Sequence, residues 1–195
     1  MRNEIARDLH DDMGSTLSSI HIISQLALKE SGPATKYFQR IAEHSAKMME
    51  SMSDMVWSIN PENDSLQKML AKMKEFSAEI LEPRNMSYRF QGEETLNGTA
   101  LDVAKRKNIF LIFKETINNA AKYSEGTVVD IRIAHVDNDL QLVIRDNGKG
   151  FDLSKMPQGN GLRNMKERAR EINAELGFET VPGQGTTLRL TLPLT

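Results

Sequence analysis

The sequence contains no cysteine, so neither a disulfide framework nor a cysteine-rich zinc site is available to it. That composition suits a reducing compartment such as the cytoplasm. An excess of one charge is also missing. The formal net charge is -2 with 27% charged residues, so the chain has no basic surplus of the kind that marks a nucleic-acid binder. The short run Lys105-Arg106-Lys107 reads as the solvated end of a helix. No apolar stretch approaches the length that spans a bilayer, and Met1-Arg2-Asn3-Glu4 has no signal-peptide character. P-loop sequences are absent. His21, His44 and His135 are scattered without zinc-ligand spacing, which gives them no metal role.

What is present falls into two parts. A chain of 195 residues can form one large domain or two small ones. The first helical pattern begins almost at residue 1, as expected of a piece of a longer chain. From about Asn3 to Glu30 apolar residues recur three or four apart: Ile5, Leu9, Met13, Leu17, Ile20, Ile23 and Ala27. Ser31-Gly32-Pro33 breaks that helix. Phe38, Ile41, Ser45, Met48, Met52, Met55 and Ile59 then alternate in steps of three and four, a heptad seam. A hairpin of two such helices cannot cover both of its apolar edges, so the pattern predicts a homodimer closed as a four-helix bundle through the N-terminal helices. The methionines of the second helix read as core filler. Pro61 ends that helix near Asn60, and residues 61–64 form a hinge between an N-terminal region, 1–60, and a second domain, 65–195.

Beyond the hinge the periodicity changes. Leu66 to Leu81 reads as a helix stopped by Pro83-Arg84-Asn85, Met86 to Gln91 as a strand, and Leu101 to Tyr123 as a second helix. Thr127 to Ile133 and Leu140 to Arg145 alternate as strands joined by the hairpin residues Asp137-Asn138-Asp139. A helix is expected from about Leu162 to Glu175, then strands over Gly177 to Val181 and Thr186 to Leu192 around a Pro182-Gly183 turn. Helices mixed with antiparallel strands predict an α+β sandwich, with the helices on one face of a mixed sheet.

Several patches carry chemistry. In Arg7-Asp8-Leu9-His10-Asp11-Asp12-Met13-Gly14, Gly14 lies one turn from His10 on the same helix face and leaves space beside the ring. Asp11 is placed to hold the imidazole in one tautomer and keep a ring nitrogen available as a nucleophile. A partly exposed histidine without a role has the same local pattern. Glu115, Asn119 and Lys122 share one helix face, where an amide oxygen suits Mg²⁺ and an ammonium suits phosphate; a plain polar face also fits. In Asp146-Asn147-Gly148-Lys149-Gly150-Phe151-Asp152 a buried aspartate at a strand end accepts from an exocyclic amine, and glycines allow close approach to a flat base. The glycines at the third and fifth positions reject an EF-hand, while a simple turn remains an alternative. Gly159-Asn160-Gly161-Leu162 opens a helix whose N–H groups favour anions, without the preceding strand of a Rossmann fingerprint.

Taken in order, these motifs make the chain resemble the kinase core of bacterial sensor histidine kinases, and within them the subfamily of the nitrate and membrane-fluidity sensors. Leu9 to Gly14 matches the phosphoacceptor box and Glu115 to Tyr123 the N box. Asp146-x-Gly148-x-Gly150 and Gly159-x-Gly161-Leu162 match the glycine boxes, and Gly185-Thr186 matches the terminal pair that supports adenine binding. The resemblance implies a dimerisation and phosphotransfer hairpin followed by a Bergerat-type ATP-binding domain. It implies His10 as phosphoacceptor and Asp11 as its orienting base. It further implies Asn119 on Mg²⁺ with Glu115 supporting the metal or its water, Asp146 reading the adenine amine, and residues 151–158 as a lid. ATP would donate the phosphoryl group, and a response-regulator receiver domain would take it from His10. The chain would be the cytoplasmic portion of a membrane receptor whose sensor region lies outside it. Two departures stand out. Ser15 occupies the place of a glutamine that helps dephosphorylate the partner, and Tyr123 that of a common histidine. A chaperone-type or repair ATPase would lack the His10 hairpin, and a catalytically dead dimerisation module would have no need of Asn119 or Asp146.

Overall fold

Apolar residues three and four apart wind the N-terminal segment into helix, and side-chain caps and left-handed residues cut the second part into shorter elements. The computed structural model describes residues 17–27, 35–59, 65–92, 96, 101–152 and 160–194. The chain divides into two units, Met1–Asn60 and Pro61–Thr195.

In the first unit, helix α1 is seen over 17–27 and α2 over Thr35–Ile59. Ile23 and Tyr37 are buried, and the seam residues Ile41, Ser45 and Met48 are half-buried. Leu17, Ile22, Leu26, Phe38, Met49 and Met52 remain 40–65% exposed in the single chain. The His10 segment, the break at Ser31 to Pro33 and the hinge lie outside the described residues, as do the side chains of Met55 and Ile59.

The second unit begins with Ser65, whose hydroxyl accepts the Lys68 N–H at 3.2 Å and caps α3, Leu66–Leu81. Asn85, at φ 56°, ends the following 3₁₀ turn of Glu82–Arg84. After β1, Ser87–Gln91, Asp102 caps α4, Val103–Tyr123, by accepting the Lys105 N–H at 2.7 Å. Strands β2, Val128–Val136, and β3, Asp139–Asp146, form a hairpin turned by Asp137 at φ 56°. The remaining elements are α5, Asn160–Glu171, β4, Glu175–Thr180, and β5, Thr186–Pro193. The expected helix to about Glu175 stops four residues early. Asn173, at φ 55°, closes it with bonds from Asn173 N–H to Arg170 O and from Ala174 N–H to Ala169 O, and Glu175 already begins β4.

The strands order as β1-β2-β3-β5-β4, with β1 parallel to β2 and every other pairing antiparallel. The parallel pair requires a crossover, which α4 supplies. Register stacks Ile131, Ile144 and Leu188 in one row and Ile133, Leu142 and Leu190 in the next, all buried. Arg132, Arg145 and Arg189 project from the other, exposed face. The apolar face packs under α3, α4 and α5, giving the two-layer α/β sandwich. At its centre Phe76 meets Phe110 and Phe113 edge-on, with centroids 6.5 and 6.4 Å away, and the Lys114 ammonium lies 4.9 Å from the Phe76 centroid. Phe113 has no exposed surface. Phe113→Ala should therefore destabilise the second unit by about 3–5 kcal/mol, read as a fall in its urea midpoint. A loss below about 1 kcal/mol would show that α3 and α4 close over the void.

Candidate nucleotide-binding site

Between α4, α5 and strands β3, β4 and β5 lies a cavity of about 410 Å³. Ile144, Leu188, Phe178 and Met165 give it apolar walls. Polar side chains interrupt them, among them Asp146 with Thr186 on the sheet and Glu115 with Asn119 on α4. Apolar walls with a few fixed polar groups suit a small, flat ligand carrying a polar tail.

Asp146 ends β3 and is buried. Loss of hydration pushes its carboxyl above the ordinary value, and backbone hydrogen bonds at Gly148, Thr186 and its own residue oppose that rise. The Gly148 N–H donates to Asp146 Oδ1 at 2.9 Å. At two positions here a side chain has no room: a Cβ at Gly148 would strike the Ser124 carbonyl, and one at Gly185 (φ +75°) the carbonyl of Asp146 itself. The neighbouring backbone locks the loop further, since Lys149 N–H donates to Ser124 O at 2.7 Å and Gly183 N–H to Lys149 O at 2.6 Å. Asn147 Oδ1 accepts from Thr127 and Val128 N–H at 2.8 and 2.9 Å.

On α4, one turn apart, Asn119 Nδ2 donates to Glu115 Oε1 at 3.2 Å. The amide nitrogen is thereby held by a carboxylate, which leaves Oδ1 as the free end of the group. Gly161, at the start of α5, comes so close that a Cβ there would meet Glu115 Oε1. A neutral oxygen beside a carboxylate fits Mg²⁺, which takes few protein ligands and keeps phosphate and water oxygens for the rest. No cluster of three His, Asp or Glu side chains able to hold a metal by themselves occurs among the described residues.

The expected residues separate clearly. Glu115, Asn119, Asp146 and Thr186 line the cavity, together with Gly150, Gly161 and Leu162. Gly148 is buried in the turn that serves Asp146. Lys122 is exposed and is not among the lining residues. Gly159, His10 and Asp11 lie outside the described residues. Thr180, which the motifs do not reveal, donates to Gly185 O at 3.1 Å and accepts from Phe151 N–H at 3.0 Å, joining β4 to the glycine loop.

Residues 104–195 match the family model described as histidine kinase-, DNA gyrase B- and HSP90-like ATPase, and residues 2–64 match one described as histidine kinase. In both of its units the chain is thus similar to histidine kinases. It is 27% identical over 201 residues to the sensor histidine kinase LiaS of Bacillus subtilis, covering 99% of this chain and 54% of LiaS. It is 28% identical over 199 residues to the sensor protein VraS of Staphylococcus epidermidis, covering 99% of this chain and 55% of VraS. The chain thus spans about half the length of these curated relatives. Its fold is that of the histidine kinase domain of the Erythrobacter litoralis EL346 blue-light activated kinase, at TM-score 0.63 and 15% identity over 93% of this chain and 94% of that one. Acinetobacter baumannii AdeS gives 0.60 at 15% identity, over 95% of this chain and 98% of that one. No described helix is long and apolar enough to cross a membrane.

The raised Asp146 carboxyl fixes a sign. With the folded value above 3.8, the native state binds the proton more readily than the unfolded chain, so its contribution to stability is full below 3.8 and is lost as pH rises through the folded value. Asp146→Asn should therefore raise the urea midpoint at pH 7 relative to the parent, and the gain should vanish below pH 3.8. The same variant should lose nucleotide affinity, measured by calorimetry with ADP. Equal midpoints at pH 7 would contradict burial as the source of the shift.

Proposed function

We propose that this chain binds ATP in the cavity, moves its γ-phosphoryl group to His10, and passes it to an aspartate of a response-regulator receiver domain. The observation that carries the reading is Asp146, a buried carboxylate beside apolar walls; in this reading it would accept from the adenine amine. In this reading the walls take the base, while the N–H groups opening α5, from Asn160 to Leu162, meet the phosphates. Asn119 Oδ1 would hold Mg²⁺, with Glu115 fixing the amide by its nitrogen. When bound, Mg²⁺ neutralises charge on the transferring phosphoryl group. Lys122, exposed near the end of α4, would reach phosphate from outside the cavity.

His10 attacks the γ-phosphorus through one ring nitrogen as the bond to the β,γ-bridging oxygen breaks and ADP leaves. Asp11 holds the imidazole tautomer that leaves that nitrogen's lone pair free. Positioning and charge neutralisation suffice for such a step. The exposed apolar residues of α1 and α2, among them Leu17, Ile22, Phe38 and Met49, support a homodimer closed as a four-helix bundle. Both curated relatives carry sensor names, which supports this chain as the cytoplasmic kinase portion of a membrane-bound receptor. The subfamily of the nitrate and membrane-fluidity sensors remains our reading of the ordered motifs.

With γ-labelled ATP and Mg²⁺ the chain should acquire label that is acid-labile and base-stable, and His10→Gln should abolish it while ADP still binds. Absence of label from the parent, with ADP bound, would sink the kinase reading. Ser15 has no amide to orient water, so phosphorylated receiver domain should decay little faster with this chain than alone. Rapid decay that Ser15→Ala removes would refute that expectation.

A further inference from the structure

Three side chains stand in one row across the sheet. Asp146 of β3 is paired with Thr186 of β5, and Thr186 with Thr180 of β4. Directly opposed residues project from one face, here the face that the helices cover. Asp146 and Thr186 line the cavity, whereas Thr180 does not.

The bonds around Thr180 use up its hydroxyl. A hydroxyl has one proton and two acceptor lone pairs. The Gly185 carbonyl, which can only accept, takes the proton at 3.1 Å. The Phe151 N–H, which can only donate, occupies one lone pair at 3.0 Å. The remaining lone pair faces Thr186 Oγ1 at 3.2 Å. We infer that Thr180 is a specificity-determining positioning residue: it draws the Thr186 proton away from the cavity, so that Thr186 meets the ligand only as an acceptor. Beside it the Asp146 carboxylate is an acceptor too. This pair selects a ligand edge that donates, such as a 6-amino purine, directly or through a water whose two protons point at Asp146 and Thr186. A 6-oxo purine brings another acceptor to the same place and is rejected. The inference rests on the reading of the cavity as a nucleotide site.

The test titrates the full 195-residue chain, in Mg²⁺, with ADP and with inosine diphosphate by calorimetry. The parent should favour ADP. In Thr180→Val the Thr186 hydroxyl is free to turn and donate to the 6-oxo group, so the ADP-to-IDP affinity ratio should fall about tenfold, the worth of one hydrogen bond. Thr180→Ser keeps the hydroxyl and should keep the ratio. A merely structural role would weaken both nucleotides together and leave the ratio unchanged, which would overturn the assignment. Loss of the ratio in Thr180→Ser would overturn it equally. Should the valine variant not fold, Thr180→Ala carries the same expectation. A parent that binds ADP and IDP alike would overturn the acceptor-only reading, while a parent that binds no ADP would overturn the nucleotide site itself.

Discussion

A carboxylate kept from water must be met by donors, or its burial is too costly to sustain. Asp146 is met by backbone N–H groups, that of Gly148 at 2.9 Å among them. The requirement therefore falls on the path of the chain rather than on a partner side chain. That path brings three separate segments into backbone contact: the end of α4 at Ser124, the loop after β3 and the turn between β4 and β5. The sheet's one-sided burial sets the depth at which this junction sits. The cavity occupies the room that α4 and α5 leave above β3, β4 and β5.

Helix α4 links the polar groups of the site. Its middle carries Glu115 and Asn119, and its end supplies the Ser124 carbonyl that anchors the glycine loop. Helix α5 is held against it by modest means. Met165 and Ala169 are its buried residues, with Ile172 buried just past its end, and Asn108 reaches across to Glu171 at 3.2 Å and Arg168 at 3.4 Å. A helix docked by so little apolar surface keeps its first turn, with Gly161 and Leu162, close to the side of the cavity that carries Glu115.

Much of this was legible in the residues. Leu66 to Leu81 reads as helix because its buried stripe keeps strict three- and four-residue spacing after a serine cap, and the observed bounds agree. The alternation of Val129, Ile131 and Ile133 made β2 and its one-sided burial visible. The end of α5 was not legible. Ala174 and Glu175 are good helix formers, and the stop depends on Asn173 taking a left-handed conformation that glycine more often signals. Lys122 shows the limit of helix-face counting: it is seven residues from Glu115, yet it is exposed and outside the cavity lining. Thr180 was hidden for another reason. A threonine on a strand looks ordinary until register sets it opposite Thr186.

The glycines of the junction differ in what stands in the way of a side chain. At Gly148, Gly150 and Gly185 the obstacle is a main-chain carbonyl, of Ser124, Val181 and Asp146 respectively. At Gly161 it is the Glu115 carboxylate. A side-chain obstacle can be removed by a second substitution, whereas a carbonyl is carried by every residue type. During divergence Gly161 therefore has an escape through paired exchange with Glu115. The other three have none, so sequence drift can remodel the α4–α5 side of this cavity while the turn that cradles Asp146 stays as it is.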